Sequence, residues 1–103
     1  MILKIKTTKI DLTDDLSEYI SKKFQNMDTL LGGNDPDAIV VEIEIGLTTE
    51  GQNKGLIHRT ELNLSFGGEL LRSEKIGESF FEAIDLVKND ITRQIRKFKS
   101  LNR

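Results

Sequence analysis

The chain has 103 residues, no cysteine, 37% hydrophobic residues and a formal charge of −2. That is one domain's worth of chain, able to bury a core without cross-links. The missing cysteine excludes a disulfide, a thiolate metal site and a cysteine nucleophile, and no run of about 18 apolar residues is present to span a membrane.

The opening segment MILKIKT alternates, with Leu3, Ile5 and Thr7 on one side and Ile2, Lys4 and Lys6 on the other. A period of two marks a strand. MILKIKTTKIDL is also too charged, and too short in its apolar part, for a secretory signal, so a cytoplasmic location is expected. The period then changes. Leu16, Tyr19, Ile20, Phe24, Met27, Leu30 and Leu31 recur at three and four, which predicts one amphipathic helix running to Leu31. Thr13 is its natural N-cap, Asp14 and Asp15 suit the positive end of its dipole, and Gly32-Gly33 can end it.

After the turn at Pro36, Ile39, Val41, Ile43 and Ile45 line one face of a second strand, with Glu42 and Glu44 on the other. A polar loop over 48–55 follows. LIHRTELNLSF is a third strand, placing Leu56, His58, Thr60, Leu62, Leu64 and Phe66 on one side. Gly67-Gly68 is a two-residue hairpin signal leading into a short fourth strand, ELLRSEK. Ser79 and Glu82 form a capping box for a closing helix, SFFEAIDLVKNDITRQIRKFK. No internal repeat or linker interrupts 1–103, so one domain is expected.

A helix between two strands implies a parallel crossover, whereas short turns pair the later strands antiparallel. The expected fold is therefore α+β: a two-layer sandwich of order β-α-β-β-β-α, with a four-stranded mixed sheet and two helices on one face. The other face, carrying Glu42, Glu44, Arg59, Glu61, Asn63 and Ser65, is left to water.

Charge is unevenly spread. Residues 1–50 hold five lysines against ten acids, and residues 51–103 hold ten basic residues against seven acids. On a wheel of about 100° per residue, Ile84, Val87, Ile91, Ile95 and Phe98 form the buried stripe of the last helix. Lys88, Arg96, Lys99 and Arg103 fall roughly opposite it, with Arg93 and Lys97 beside them. Two readings stand together. Basic residues toward a helix C-terminus stabilise it through the dipole and form an ordinary solvated face. Spaced along a ridge, they can also track phosphates, each adding through counterion release, with the arginines as bidentate forks. Lys22 and Lys23 on the first helix would widen such a ridge if the two helices lie side by side.

Catalytic chemistry finds little support. His58, the single histidine, falls on the apolar side of its strand, where a hydrogen-bonded structural role suits it. Glu42 and Glu44 share a sheet face but have no nucleophile or metal-ligand set beside them. The glycines lack phosphate-loop spacing. No catalytic residue, metal, cofactor or small-molecule substrate is expected.

The chain resembles the ribosome hibernation-promoting factor and ribosome-associated inhibitor family, also described as sigma-54 modulation proteins. The resemblance covers nearly all of it and is most specific in SFFEAID (79–85) and RQIRKFK (93–99). Phe81, Ala83, Ile84 and Asp85 fit the opening of the family's second helix, and Arg93, Gln94, Ile95 and Lys97 fit its end. Asp90 stands where the family often has lysine, and Ser79 where it usually has aspartate. The resemblance implies the same β-α-β-β-β-α fold. It further implies binding to the small ribosomal subunit, to its 16S rRNA and proteins in the mRNA and tRNA channel, with inhibition of translation under stress or in stationary phase. Carried over by position, Lys23, Arg93 and Lys97 are the rRNA contacts; Lys22, Lys88, Arg96, Lys99 and Arg103 join them by charge and wheel position. Ending at Arg103, the chain looks like a short form without a self-tethering C-terminal domain. The rival expectations are a protein-interaction module or a double-stranded RNA binder with no ribosome specificity.

Overall fold

The computed structural model describes residues 1–48 and 57–101. In chain order it contains β1 (Ile2–Thr8), α1 (Asp14–Phe24), α2 (Met27–Leu30), a 3-10 turn (Pro36–Ala38), β2 (Val40–Leu47), β3 (His58–Phe66), β4 (Glu69–Gly77) and α3 (Phe80–Leu101). Leu56, and the loop expected over 48–55 apart from Thr48, lie outside the described residues. The strands form one sheet in the order β1-β2-β3-β4. β1 runs parallel to β2, with Ile5 opposite Ile43, and the other two pairs are antiparallel. The mixed four-stranded sheet is thus the expected one, and β1 and β4 are its two edges.

Local chemistry accounts for the element boundaries. Thr13 caps α1, its hydroxyl accepting from the Leu16 amide at 3.2 Å. Ser79 caps α3 by accepting from the Glu82 amide at 3.0 Å, while the Glu82 carboxylate reaches back to the Glu78 amide at 3.0 Å. Gly67 and Gly68 both have positive φ, 52° and 81°, the left-handed pair that a two-residue hairpin requires. β4 continues through Ile76 and Gly77, two residues beyond the expected segment.

The single helix expected to reach Leu31 is a correction. It ends at Phe24 and resumes as the one-turn α2. In a continued helix the Lys23 carbonyl would accept from the Met27 amide. It accepts instead from Lys88 Nζ of α3, at 2.5 Å. Met27 and Leu31 remain buried across the break, so the apolar spacing was preserved while the backbone ladder was not.

One face of the sheet contributes Val41, Ile43, Ile45, Leu62, Leu64 and Phe66 to the core, and the helices contribute Leu16, Ile20, Phe24, Ile84, Val87, Ile91 and Ile95. α3 lies over β3 and β4 and flanks α1. The two helices run parallel: Tyr19 and Lys23 meet Asp85, and Leu30 meets Lys99 farther along. Both N-termini therefore sit at one end of the helical layer and both C-termini at the other.

Candidate nucleic-acid interface

A helix in this layer has two contacted sides, the sheet below and the neighbouring helix beside it. That divides the cations of α3. Lys88 and Lys99 occupy the flank facing α1 and α2. Lys88 Nζ donates to the Lys23 carbonyl and lies 3.5 Å from Asn26 Oδ1 and 5.5 Å from the centre of the Phe24 ring. Burial pushes its pKa down, with the charge of Lys23 adding to the effect. Lys99 Nζ donates to the Leu30 carbonyl at 3.0 Å. Both lysines thus satisfy carbonyls left open at helix C-termini. The placement of Lys88 and Lys99 roughly opposite the buried stripe is corrected: at about 100° per residue they fall within about 40° of Ile95, beside the stripe and on the flank that meets α1 and α2.

Lys23 points into the same seam. It pairs with Asp85 at 3.0 Å and lies over the Tyr19 ring, and the Tyr19 hydroxyl donates to Asp85 at 2.6 Å. The Asp85 hydrogen bonds raise the pKa of both Tyr19 and Lys23. Lys22 is exposed and pairs with Glu18 one turn earlier, at 2.9 Å.

The opposite flank of α3 looks over β4. Arg93 donates to Asp90, whose carboxylate also accepts from Ser73 Oγ at 2.6 Å and Gln94 Nε2 at 3.0 Å. The Ser73 hydroxyl above all, with Arg93 behind it, holds the Asp90 carboxyl down at about 2. Arg93 remains 77% exposed while its partner is almost covered, so the guanidinium can still meet a ligand. Arg96 and Lys97 are exposed and form no hydrogen bond or ion pair within the described residues. Arg103 lies outside the described residues. The expected ridge is therefore two groups. Arg93, Arg96 and Lys97 lie together on the outer and β4-facing sides of α3. Lys23, Lys88 and Lys99 belong to the interhelix seam.

The open sheet face behaves differently. Arg59 Nη2 contacts Glu44 at 2.7 Å, and Arg59 Nη1 contacts Glu74 at 2.9 Å and Glu61 at 3.4 Å. Arg72 pairs with Glu61 and Lys6 with Glu44. These charges neutralise and half-cover one another, so the face is less open to water than its alternation suggests. Arg59 lowers the Glu44 pKa, the reverse of what a general acid needs. The His58 ring packs edge-on against Phe80, with Nδ1 3.3 Å from the Gly77 carbonyl, which is the structural role expected of it.

Two features escaped the sequence reading. Asp90 is the anchor of Arg93, signalled by the spacing of Asp90, Arg93 and Gln94 along one side of a helix. Leu71, Gln94, Lys97, Phe98 and Leu101 line an apolar groove of about 290 Å³ between α3 and β4; no local pattern joins Leu71 to the others. At the opposite end of the helical layer, Tyr19 and Phe81 form an edge-to-face pair in a second groove with Asp15, Glu18 and Lys22.

A ribosome hibernation promotion factor of Lactococcus lactis subsp. cremoris is 27% identical over 93% of this chain and 48% of its own length. One from Deinococcus radiodurans is 24% identical over 96% of this chain and 49% of its own. The chain thus spans about half the length of these curated relatives. In structure, it resembles the N-terminal domain of Thermus thermophilus Protein Y, with TM-score 0.76 and 21% identity over 95% of this chain and 99% of that one. A ribosomal subunit interface protein from Coxiella burnetii has TM-score 0.75 at 18% identity, over 97% of this chain and 99% of the other. At such identities the two structures establish the fold. Residues 3–103 match a family description over almost the entire sequence, and on that match the chain belongs to the Sigma 54 modulation protein / S30EA ribosomal protein family.

Proposed function

We propose that this protein is a cytoplasmic ribosome hibernation factor that occupies the mRNA and tRNA channel of the small subunit and inhibits translation under stress or in stationary phase. The observation that carries this reading is the pair Arg96 and Lys97, exposed and without a partner among the described residues, beside the exposed guanidinium of Arg93. On the open sheet face Lys6, Arg59 and Arg72 already have carboxylates, so phosphates gain most at the C-terminal half of α3, where exposed cations cluster. The mildly acidic body opposes attachment to arbitrary polyanions, and the ridge acts within about one Debye length, roughly 8 Å at physiological salt. A cavity that presents phosphates on several sides suits such a surface.

The test is sedimentation of the purified protein with isolated small subunits across a salt series. Steep loss of binding with salt is expected, because phosphate contacts release counterions. Absence from the subunit fraction at low salt would refute the reading. A protein-interaction module has one observation in its favour: the Tyr19–Phe81 groove, rimmed by Asp15 and Glu18, fits a basic polypeptide. Binding through it would survive variants of Arg93, Arg96 and Lys97.

A further inference from the structure

The groove between α3 and β4 adjoins the cationic group but has a different character. Leu71, Phe98 and Leu101 supply apolar walls, Gln94 closes one side, and Lys97 stands at the rim. Phe98 is fixed edge-to-face against Phe66, with ring centres 5.2 Å apart, and Leu101 is 74% exposed. Such a groove demands an occupant that is both apolar and anionic.

Strand addition along β4 fits poorly. The Arg72 carbonyl, on this edge strand, is already taken by Gln94 Nε2 at 2.7 Å, and an edge so occupied offers an incoming strand one acceptor fewer. A purely apolar protein segment would strip water from Lys97 without giving it a partner. An unpaired nucleotide satisfies both demands at once. Its base has an apolar face to lay against Leu71, Phe98 and Leu101, while its phosphates meet Lys97 and the neighbouring Arg96 or Arg93. In helical RNA the bases are stacked and paired, so neither face is available to the groove.

We infer that the groove lined by Leu71, Phe98 and Leu101 receives an unstacked base of RNA whose backbone is held by Lys97 and its neighbouring arginines. The inference rests on the proposed ribosomal role and deepens it: the ridge prefers a single-stranded or bulged element over a duplex.

The experiment compares wild type with Leu101→Ser and Lys97→Ala on three probes: isolated small subunits, a 12-nucleotide single-stranded RNA, and the duplex of about the same length and sequence. Leu101 is exposed enough that the serine variant keeps its fold, which circular dichroism verifies. Wild type should prefer the single strand to the duplex by about tenfold. Leu101→Ser should abolish that preference without changing the salt slope, whereas Lys97→Ala should flatten the slope by about 0.7 for a single strand. Equal binding of single strand and duplex by wild type, or a preference unaltered in Leu101→Ser, would overturn the inference even if subunit binding were intact. Wild type that prefers the single strand but never sediments with subunits would overturn the ribosomal role and leave the groove standing. A leucine-bearing acidic peptide that displaces the single strand through Leu101 at comparable concentration would assign the groove to protein and also overturn the inference.

Discussion

Lys88 Nζ and the Lys23 carbonyl oxygen lie 2.5 Å apart, tying α3 to the last turn of α1. The contact does two things. It satisfies a carbonyl left without a helical partner where α1 ends, and it withdraws one lysine from the cationic surface. Removing Lys88 is therefore a test of stability rather than of RNA binding. Lys88→Ala is expected to cost about 1–3 kcal/mol, the range for a charged hydrogen bond whose half-buried partner is left open. Urea denaturation measures the cost, and sedimentation with small subunits should stay close to wild type.

Charge reversal of the exposed group gives the complementary result. Replacing Arg93, Arg96 and Lys97 together by glutamate should leave the far-UV spectrum and a cooperative melt in place, since all three are exposed, with the melting temperature lowered by loss of the Arg93–Asp90 pair and by anions at the negative end of the helix dipole. Sedimentation with subunits should fall by more than about tenfold, as several phosphate contacts turn repulsive. Retention of full binding would move the interface elsewhere on the molecule.

Asp90 sets a pH dependence whose sign can be worked out. Its folded pKa is depressed to about 2, chiefly by the Ser73 hydroxyl and by Arg93. A depressed carboxyl contributes stability that is fully present above the unfolded value, about 3.9, and is lost as pH falls through the folded value. The stability gap between wild type and Asp90→Asn should therefore be constant above about pH 5 and close between about pH 4 and 2. A gap that widened on acidification would contradict the Ser73–Asp90 contact. Because Asp90 also holds Arg93, the asparagine variant should bind subunits at least as well as wild type.

Ile95 is 1% exposed at the sheet side of α3. Ile95→Asp buries a carboxylate with nothing to pair it. The expected outcome is loss of the folded state, seen as collapse of the cooperative thermal transition. Leu86→Asp, on an exposed side of the same helix, should leave that transition within about 0.5 kcal/mol of wild type. A folded Ile95 variant would mean that this side of α3 does not face the sheet.

Much of the architecture was written locally. Alternation in 39–45 and 58–66 set the buried faces of β2 and β3, and the periods of three and four set the inner stripes of α1 and α3. Thr13, Ser79 with Glu82, and Gly67-Gly68 marked boundaries through groups only a few residues apart. Such features are legible because the chain carries cause and consequence within one or two turns. Family membership was legible for a related reason: SFFEAID and RQIRKFK hold their spacing within a single helix.

Tertiary structure decided what became of the lysines and arginines. A helical wheel describes a cylinder with one buried stripe, but α3 has a sheet beneath it, α1 along one flank and an open edge over β4. Those neighbours, distant in sequence, made Lys88 and Lys99 into donors for the carbonyls of Lys23 and Leu30. They gave Lys23 to Asp85, and left Arg96 and Lys97 exposed beside a groove completed by Leu71 of another strand. Sequence determined where positive charge lies along the chain. Which of those charges remains available to a phosphate is set by the carbonyls and carboxylates that folding brings within hydrogen-bond reach of it, over separations that no local pattern spans.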